Sequence, residues 1–246
     1  MNLEQAGFKK RGHVVLLNGQ AKELHEEILK ALAKSLKPYY SNRLAASSVI
    51  SRSTLGIANY IEHFPQNVIY VNKSKCKTPA ACFHVFSKLN GKKINSKVGY
   101  LVIAPCTRHE GGRWKFPFRL EKFTMLELII LGRPEELFTL KKELRNTVEK
   151  TVKAFGCQGK WQVATDAFFL STNKGAQVMQ KLKELKLEYT VLVAKKSVAL
   201  ASFNSHESYF TERFTLAAGN APLHSLCLAF GLERIVAASL LLRGKP

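Results

Sequence analysis

Carboxylates are scarce in this chain. Only 18 Asp and Glu stand against 38 Lys and Arg, a formal net charge of +20 over 246 residues. Such a surplus predicts an anionic partner: nucleic acid, an acidic protein, a phosphorylated substrate or an anionic membrane surface. An inert solvated face is the alternative. Long apolar runs are absent as well. No stretch reaches the roughly 18 residues of a membrane helix, although the 46% hydrophobic share is enough to build a core. The opening MNLEQAGFKKRGHVVLLNG sets its charges before only about four apolar residues, too few for a signal peptide. The five cysteines, Cys76, Cys82, Cys106, Cys157 and Cys227, are odd in number and scattered. That argues against a disulfide framework and for a cytoplasmic protein with reduced thiols, free for metal or chemistry. Neither GxGxxG nor a Walker-type loop occurs, which disfavours a Rossmann or P-loop nucleotide site.

What is present reads as strands with flanking helices. A short strand is expected in GHVVLLNG (12–19). A helix follows over 21–36, with Leu24, Ile28, Leu32 and Leu36 on one face. A strand and a helix share 47–65, a strand covers 67–72, and a helix with Pro79 in its first turn covers 78–92. Two strands, 98–110 and 118–132, flank the loop EGGRWKFP. The clearest helix is 133–156, opened by Pro134 and closed by Gly156. A strand over 161–169, a helix over 175–186, a hairpin over 189–205 and a strand fading into an apolar helix from Cys227 complete the chain. Neighbouring strand runs flanked by helices argue for α+β with a mostly antiparallel sheet. The length suits one large domain, or one and a half.

Two arginines sit in unusual company. The terminal LHSLCLAFGLERIVAASLLL (223–242) is nearly all apolar yet carries His224, Cys227, Glu233 and Arg234. Gly231 allows close backbone approach, and an arginine at a strand–helix junction can grip a phosphate through its planar fork. Arg108 and Glu110, in CTRHEGG, share one strand face. The arginine could neutralise a phosphate while the carboxylate accepts from an exocyclic amine; a surface ion pair is the plainer alternative.

TRHE, FTMLEL and AFGLERI, in that order, resemble motifs two and three of the class II aminoacyl-tRNA synthetases. The resemblance is closest to the atypical seryl-tRNA-synthetase-like amino acid:[carrier protein] ligases. TPAACFHVF, TDAFF, KLEYTVLV, SFNSHESYFTERF and SRSTLGIANYIEHFP also look like that group, so the similarity runs from about residue 45 to the end. It implies one class II catalytic domain over 1–246, led into by a strand and helix in 1–44, without an anticodon-binding domain. By that likeness Arg108 and Arg234 bind ATP phosphates and serve catalysis. Glu110 and Phe123 meet the adenine, Arg119 aids the outer phosphates, and Asn204 contacts ATP or the amino acid. Asp166 and His206 shape the amino-acid pocket. Cys82, Glu127 and Cys227 hold Zn²⁺, with Cys106 the rival for the first ligand, and Mg²⁺ enters with ATP. The implied reaction is adenylation of a small amino acid and transfer to the phosphopantetheine thiol of an acidic carrier protein, by a homodimer with no use for tRNA. Two rivals stand beside it: a non-catalytic or RNA-binding paralogue, and an adenylating ligase with a peptide, small-molecule or tRNA acceptor. Three departures are visible, one being Ala167 in TDAFF, where the group prefers proline. Alanine and leucine stand just upstream of Ser202-Phe203-Asn204, where a Mg²⁺-binding carboxylate is usual. Motif one lacks its prolines.

Overall fold

The computed structural model describes residues 2–12, 14–111, 115–164, 185–219 and 221–243. A hairpin of β1 (Phe8–Arg11) and β2 (Val14–Leu17) precedes α1 (Gly19–Ser35). Then come β3 (Asn42–Ala45), β4 (Val49–Ser51), α2 (Arg52–Ile57), α3 (Tyr60–His63), β5 (Lys75–Lys77) and α4 (Cys82–Leu89). The long strands β6 (Val98–Thr107) and β7 (Lys122–Gly132) lead to α5 (Pro134–Lys153) and β8 (Gly159–Val163). The rest is β9 (Lys186–Val193), β10 (Lys196–Glu207), α6 (Tyr209–Arg213), β11 (His224–Gly231) and α7 (Leu232–Arg243).

Seven strands form one sheet in the order β3-β6-β7-β11-β10-β9-β8. Only β3 runs parallel to its neighbour; every other pairing is antiparallel. The α+β reading therefore holds. The sheet is buried on both sides, and period-2 alternation assigns each side chain to one of two cores. Leu126, Leu128 and Ile130 of β7 join Leu226, Leu228 and Phe230 of β11 beneath α1, α5 and α7. Ile129 and Leu131 face the opposite way, with Cys227 and Ala229, toward a second core built with Phe83 and Phe86 of α4 and Phe210 of α6. The apolar stripe of α1 behaves as its spacing predicts: Leu24, Ile28, Leu32 and Leu36 are all buried.

Two expected elements differ. The strand expected over 67–72 is reduced to a single bridge from Tyr70 to Cys76. Asn72 Oδ1 accepts from the backbone N–H and the hydroxyl of Ser74, folding the chain back on itself before β5. The helix expected from Pro79 starts at Cys82 instead. The preceding backbone is held by other partners: Thr107 N–H donates to Thr78 O, and Arg108 Nε donates to Pro79 O. The helix expected over 175–186 lies outside the described residues up to 184. Lys186 itself opens β9.

Close packing at β6 is testable. A Cβ on Gly99 would lie 1.9 Å from Tyr39 O, whereas one on the helical Gly56 meets nothing within 4 Å. Gly99→Ala is expected to destabilise by about 1–3 kcal/mol through overpacking. Gly56→Ala is expected to stabilise by about 0.5–1 kcal/mol. Urea unfolding of both variants checks the contrast.

Candidate active site

Register places the polar side chains. Across the sheet, Glu127 of β7 pairs with Ala229 of β11, Ala229 with Ser202 of β10, and Ser202 with Glu188 of β9. Cross-strand partners share a face. One row further along, Cys227 pairs with Asn204 and Asn204 with Lys186. Both rows face a cavity of about 380 Å³.

Arg108, Glu110, Arg119, Phe123 and Arg234 line this cavity, and so do Asn204, His206, Cys82, Glu127 and Cys227. Asp166 lies outside the described residues. Residues that sequence reading passed over also face it, notably Glu188, Lys186 and Tyr60. Glu188 was legible in principle: alternation along 186–193 puts it on the side of Lys186, facing the row that holds Ser202. Ala199, Leu200 and Ala201 line the cavity without supplying a carboxylate, while Glu188 comes from the next strand.

The cations gather at one end. Arg108 donates through Nε to Pro79 O at 2.7 Å, and its guanidinium lies 5.2 Å from the Phe123 ring centre, a cation–π distance. Arg234 donates Nε to Phe118 O at 2.8 Å and Nη1 to Ala199 O at 2.9 Å. Those two carbonyls fix its fork at the junction of β11 and α7. Burial depresses the Arg234 pKa, and the nearby Arg108 and Arg119 depress it further. Arg108 shifts the other way: burial pulls its pKa down, but Tyr60, Cys106, Glu127 and Glu110 outweigh that. Arg119 Nε pairs with the Glu110 carboxylate, and Glu233 Oε2 accepts from Thr124 N–H at 2.8 Å.

The other end is built on Glu127. Its Oε1 accepts from Ala81 N–H at 2.8 Å, and its Oε2 accepts from Cys82 N–H at 3.0 Å and from the Cys227 thiol at 3.2 Å. The carboxylate thus caps α4, satisfying N–H groups that helix geometry leaves unpaired. The Cys227 thiol is pushed well above its ordinary range, first by its hydrogen bond to Cys82, then by burial and Glu127. At Cys82 the Cys227 contact pulls downward, but burial and Glu127 outweigh it. Cys106 is on the same sheet face, paired with Phe123, yet does not line the cavity. The trio expected to hold Zn²⁺ therefore meets as a hydrogen-bonded cluster. Among the described residues no three His, Cys, Asp or Glu are arranged as a group that could hold a metal ion. Both Glu127 oxygens already accept hydrogen bonds, from the Ala81 and Cys82 N–H groups and the Cys227 thiol. As chemistry, two thiols and a carboxylate facing a cavity are a donor set that suits Zn²⁺.

His206 stands apart from the charges. It is buried beside the rings of Phe86 and Phe210, with Nδ1 3.2 Å from Ser225 Oγ. Burial lowers its pKa to about 3, so it is neutral.

Comparison with known proteins follows this geometry. No protein-family model matches the chain. It is 27% identical over 166 residues to amino acid--[acyl-carrier-protein] ligase 1 of Bradyrhizobium diazoefficiens, covering 65% of this chain and 50% of that protein. The chain thus spans about half the length of the curated relatives it matches. Its backbone superimposes on the M. kandleri SerRS solved with A. aeolicus tRNASec. The TM-score is 0.85 at 17% identity, covering 99% of this chain and 57% of that one. The Pyrococcus horikoshii seryl-tRNA synthetase solved with ATP gives 0.77 at 15% identity, covering 99% and 56%. This is the catalytic fold of the class II aminoacyl-tRNA synthetases. Arg108, Glu127 and Arg234 line one cavity of this fold.

Because the unfolded His206 titrates near 6.5 and the folded one near 3, the unfolded state binds the extra proton between those values. Stability is therefore lost as pH falls below about 6.5. Moving from pH 7.5 to 5.0, wild type should lose ~2 kcal/mol more than His206→Gln. Denaturant titrations of both at the two pH values measure the difference.

Proposed function

We propose that this cavity activates a small amino acid with ATP and passes it to the phosphopantetheine thiol of an acidic carrier protein. The carrying observation is that Arg108, Arg119 and Arg234 line one cavity together with the Cys82–Glu127–Cys227 cluster. The relatives' names and the ATP-bound fold neighbour support the same reading. The substrate's carboxylate oxygen attacks the α-phosphorus and pyrophosphate leaves. A thiol sulfur then attacks the carbonyl carbon and AMP leaves. Preorganised guanidiniums favour the first step because they meet developing phosphate charge without reorganising. Arg108 and Arg234 suit that task, each already anchored through Nε to a backbone carbonyl. Glu110 and Phe123 line the same cavity as Arg108 and would receive the adenine, and Asn204 lines it too.

Cys82, Glu127 and Cys227 would hold Zn²⁺. When bound, the metal offers an open position to a free α-amine and lowers the thiol pKa values. Mg²⁺ would enter with the nucleotide, with Glu188 the carboxylate closest in register to Ser202. A small substrate is favoured because Phe210, His206 and Tyr60 crowd the cavity near the cysteines. The net charge of +20 would steer an acidic carrier. A homodimer and a cytoplasmic setting belong to the same reading. Among the described residues no helix is long and apolar enough to cross a membrane.

Amino-acid-dependent ATP–pyrophosphate exchange tests the reaction. Glycine, alanine or serine should support exchange, and Arg108→Ala or Arg234→Ala should lower it by about 10²–10³-fold. Absence of exchange with all twenty amino acids, in folded and zinc-loaded protein, would favour a non-catalytic paralogue. Exchange without carrier loading would favour a different acceptor. Separately, elemental analysis should find one zinc per chain in wild type and none in Cys227→Ala or Glu127→Gln.

A further inference from the structure

The excess charge is not spread evenly. Residues 63–109 contain no Asp or Glu and eight Lys or Arg. One of the eight, Arg108, belongs to the cavity. Of the others, Lys73, Lys75 and Lys77 lie on and before β5. Lys75 and Lys77 flank the fully buried Cys76, so alternation turns both outward on one side. Lys88, Lys92 and Lys93 are exposed at the end of α4 and in the turn after it. The two elements form one layer: Ile50 of β4, Cys76 of β5 and Phe83 of α4 share a core.

A groove runs beside this layer. Arg52, Ser53, Asn59, Lys73 and Ser74 line it, with Glu62 its one acidic wall residue, and its volume is about 670 Å³. None of these residues lines the adenylation cavity. Tyr70 is 49% exposed, and the Arg52 guanidinium sits 5.4 Å from its ring centre. An arginine over one face of an aromatic ring holds that ring still and leaves the rest of its surface to solvent.

We infer that this face binds single-stranded nucleic acid. Lysines in a row track a phosphate backbone, hydroxyls and amides donate to phosphate oxygens, and an immobilised ring offers a stacking platform for a base. A carboxylate among those donors has a use on such a ligand, because base edges present amino groups that it can accept from. An acidic protein would match the lysines equally. It would also need an apolar centre to be desolvated, and here Ile61 is the one apolar side chain among the residues that line the groove. The inference stands independently of the adenylation reading, since it uses none of the cavity residues.

Fluorescence anisotropy of a labelled single-stranded RNA of about 20 nucleotides, titrated with the full chain at several salt concentrations, tests it. Wild type should bind, with log affinity falling linearly in log salt by about 0.7 per phosphate contact. Lys73→Glu/Lys75→Glu and, on the second element, Lys92→Glu/Lys93→Glu should each weaken binding at least ~10-fold and flatten that slope. Tyr70→Ala should weaken it roughly five-fold or more with the slope unchanged. Lys195→Glu/Lys196→Glu, at the exposed turn and first residue of β10, applies the same charge change elsewhere and should keep most of the affinity. Thermal melts confirm that each variant is folded. The proposal is overturned if wild type fails to bind at low salt, or if the control pair weakens binding as much as the lysine pairs do. It is also overturned if an acidic carrier protein, and not RNA, binds in a manner that depends on these lysines.

Discussion

The structure turns on one carboxylate. Glu127 sits at the centre of the sheet, buried to 2% exposure, on a strand whose other inward side chains are apolar. An isolated carboxylate there would be costly to ionise. Three donors offset that cost: two backbone N–H groups at the start of α4 and the Cys227 thiol. The same contacts tie α4 to β7 and fix where the helix begins. They also place Cys82 beside Cys227 although 145 positions separate them in sequence. The site's geometry and the packing of the second core are thus consequences of one hydrogen-bond cluster.

At the opposite end of the cavity the logic is electrostatic. Arg108 and Arg234 are each pinned to backbone carbonyls and held near a third guanidinium. Pinning removes the freedom to swing apart, and burial together with the neighbouring Arg108 and Arg119 depresses the Arg234 pKa. Glu110 neutralises Arg119. A pocket with soft donors at one end and fixed cations at the other is polarised along its length. It suits a ligand with an amine at one end and phosphates at the other.

The remaining charge has a separate geography. The β4–β5 layer and α4 present lysines outward, while their inner sides build the core that carries the cavity wall. Residues 78–82 link the two regions directly: the chain passes from Lys77 through Pro79, which accepts from Arg108, to Cys82. A single short segment therefore connects an exposed basic surface to both ends of the site.

Much of this was legible in the sequence. Apolar residues four apart located α1, apolar strand runs located β6, β7 and β11, and Pro134 and Gly156 bracketed α5, because burial patterns and backbone restrictions are local properties. The resemblance of TRHE, FTMLEL and AFGLERI to class II motifs nominated Arg108, Phe123, Glu127, Cys227 and Arg234. Local rules failed where a distant partner overrode them. Pro79 opens no helix because its carbonyl is engaged by Arg108, and 67–72 is not a strand because Asn72 turns the chain. Alternation gave Glu188 a side of its strand and the family likeness favoured Cys82 over Cys106, but neither showed which residues would face Glu188 or Cys82. Both sets of neighbours depend on which strands lie side by side and in what register. Sequence determined the elements, the charge and the chemical types available; the tertiary structure decided which of them share a face, because a one-residue change of register moves every side chain of a strand to the other side of the sheet.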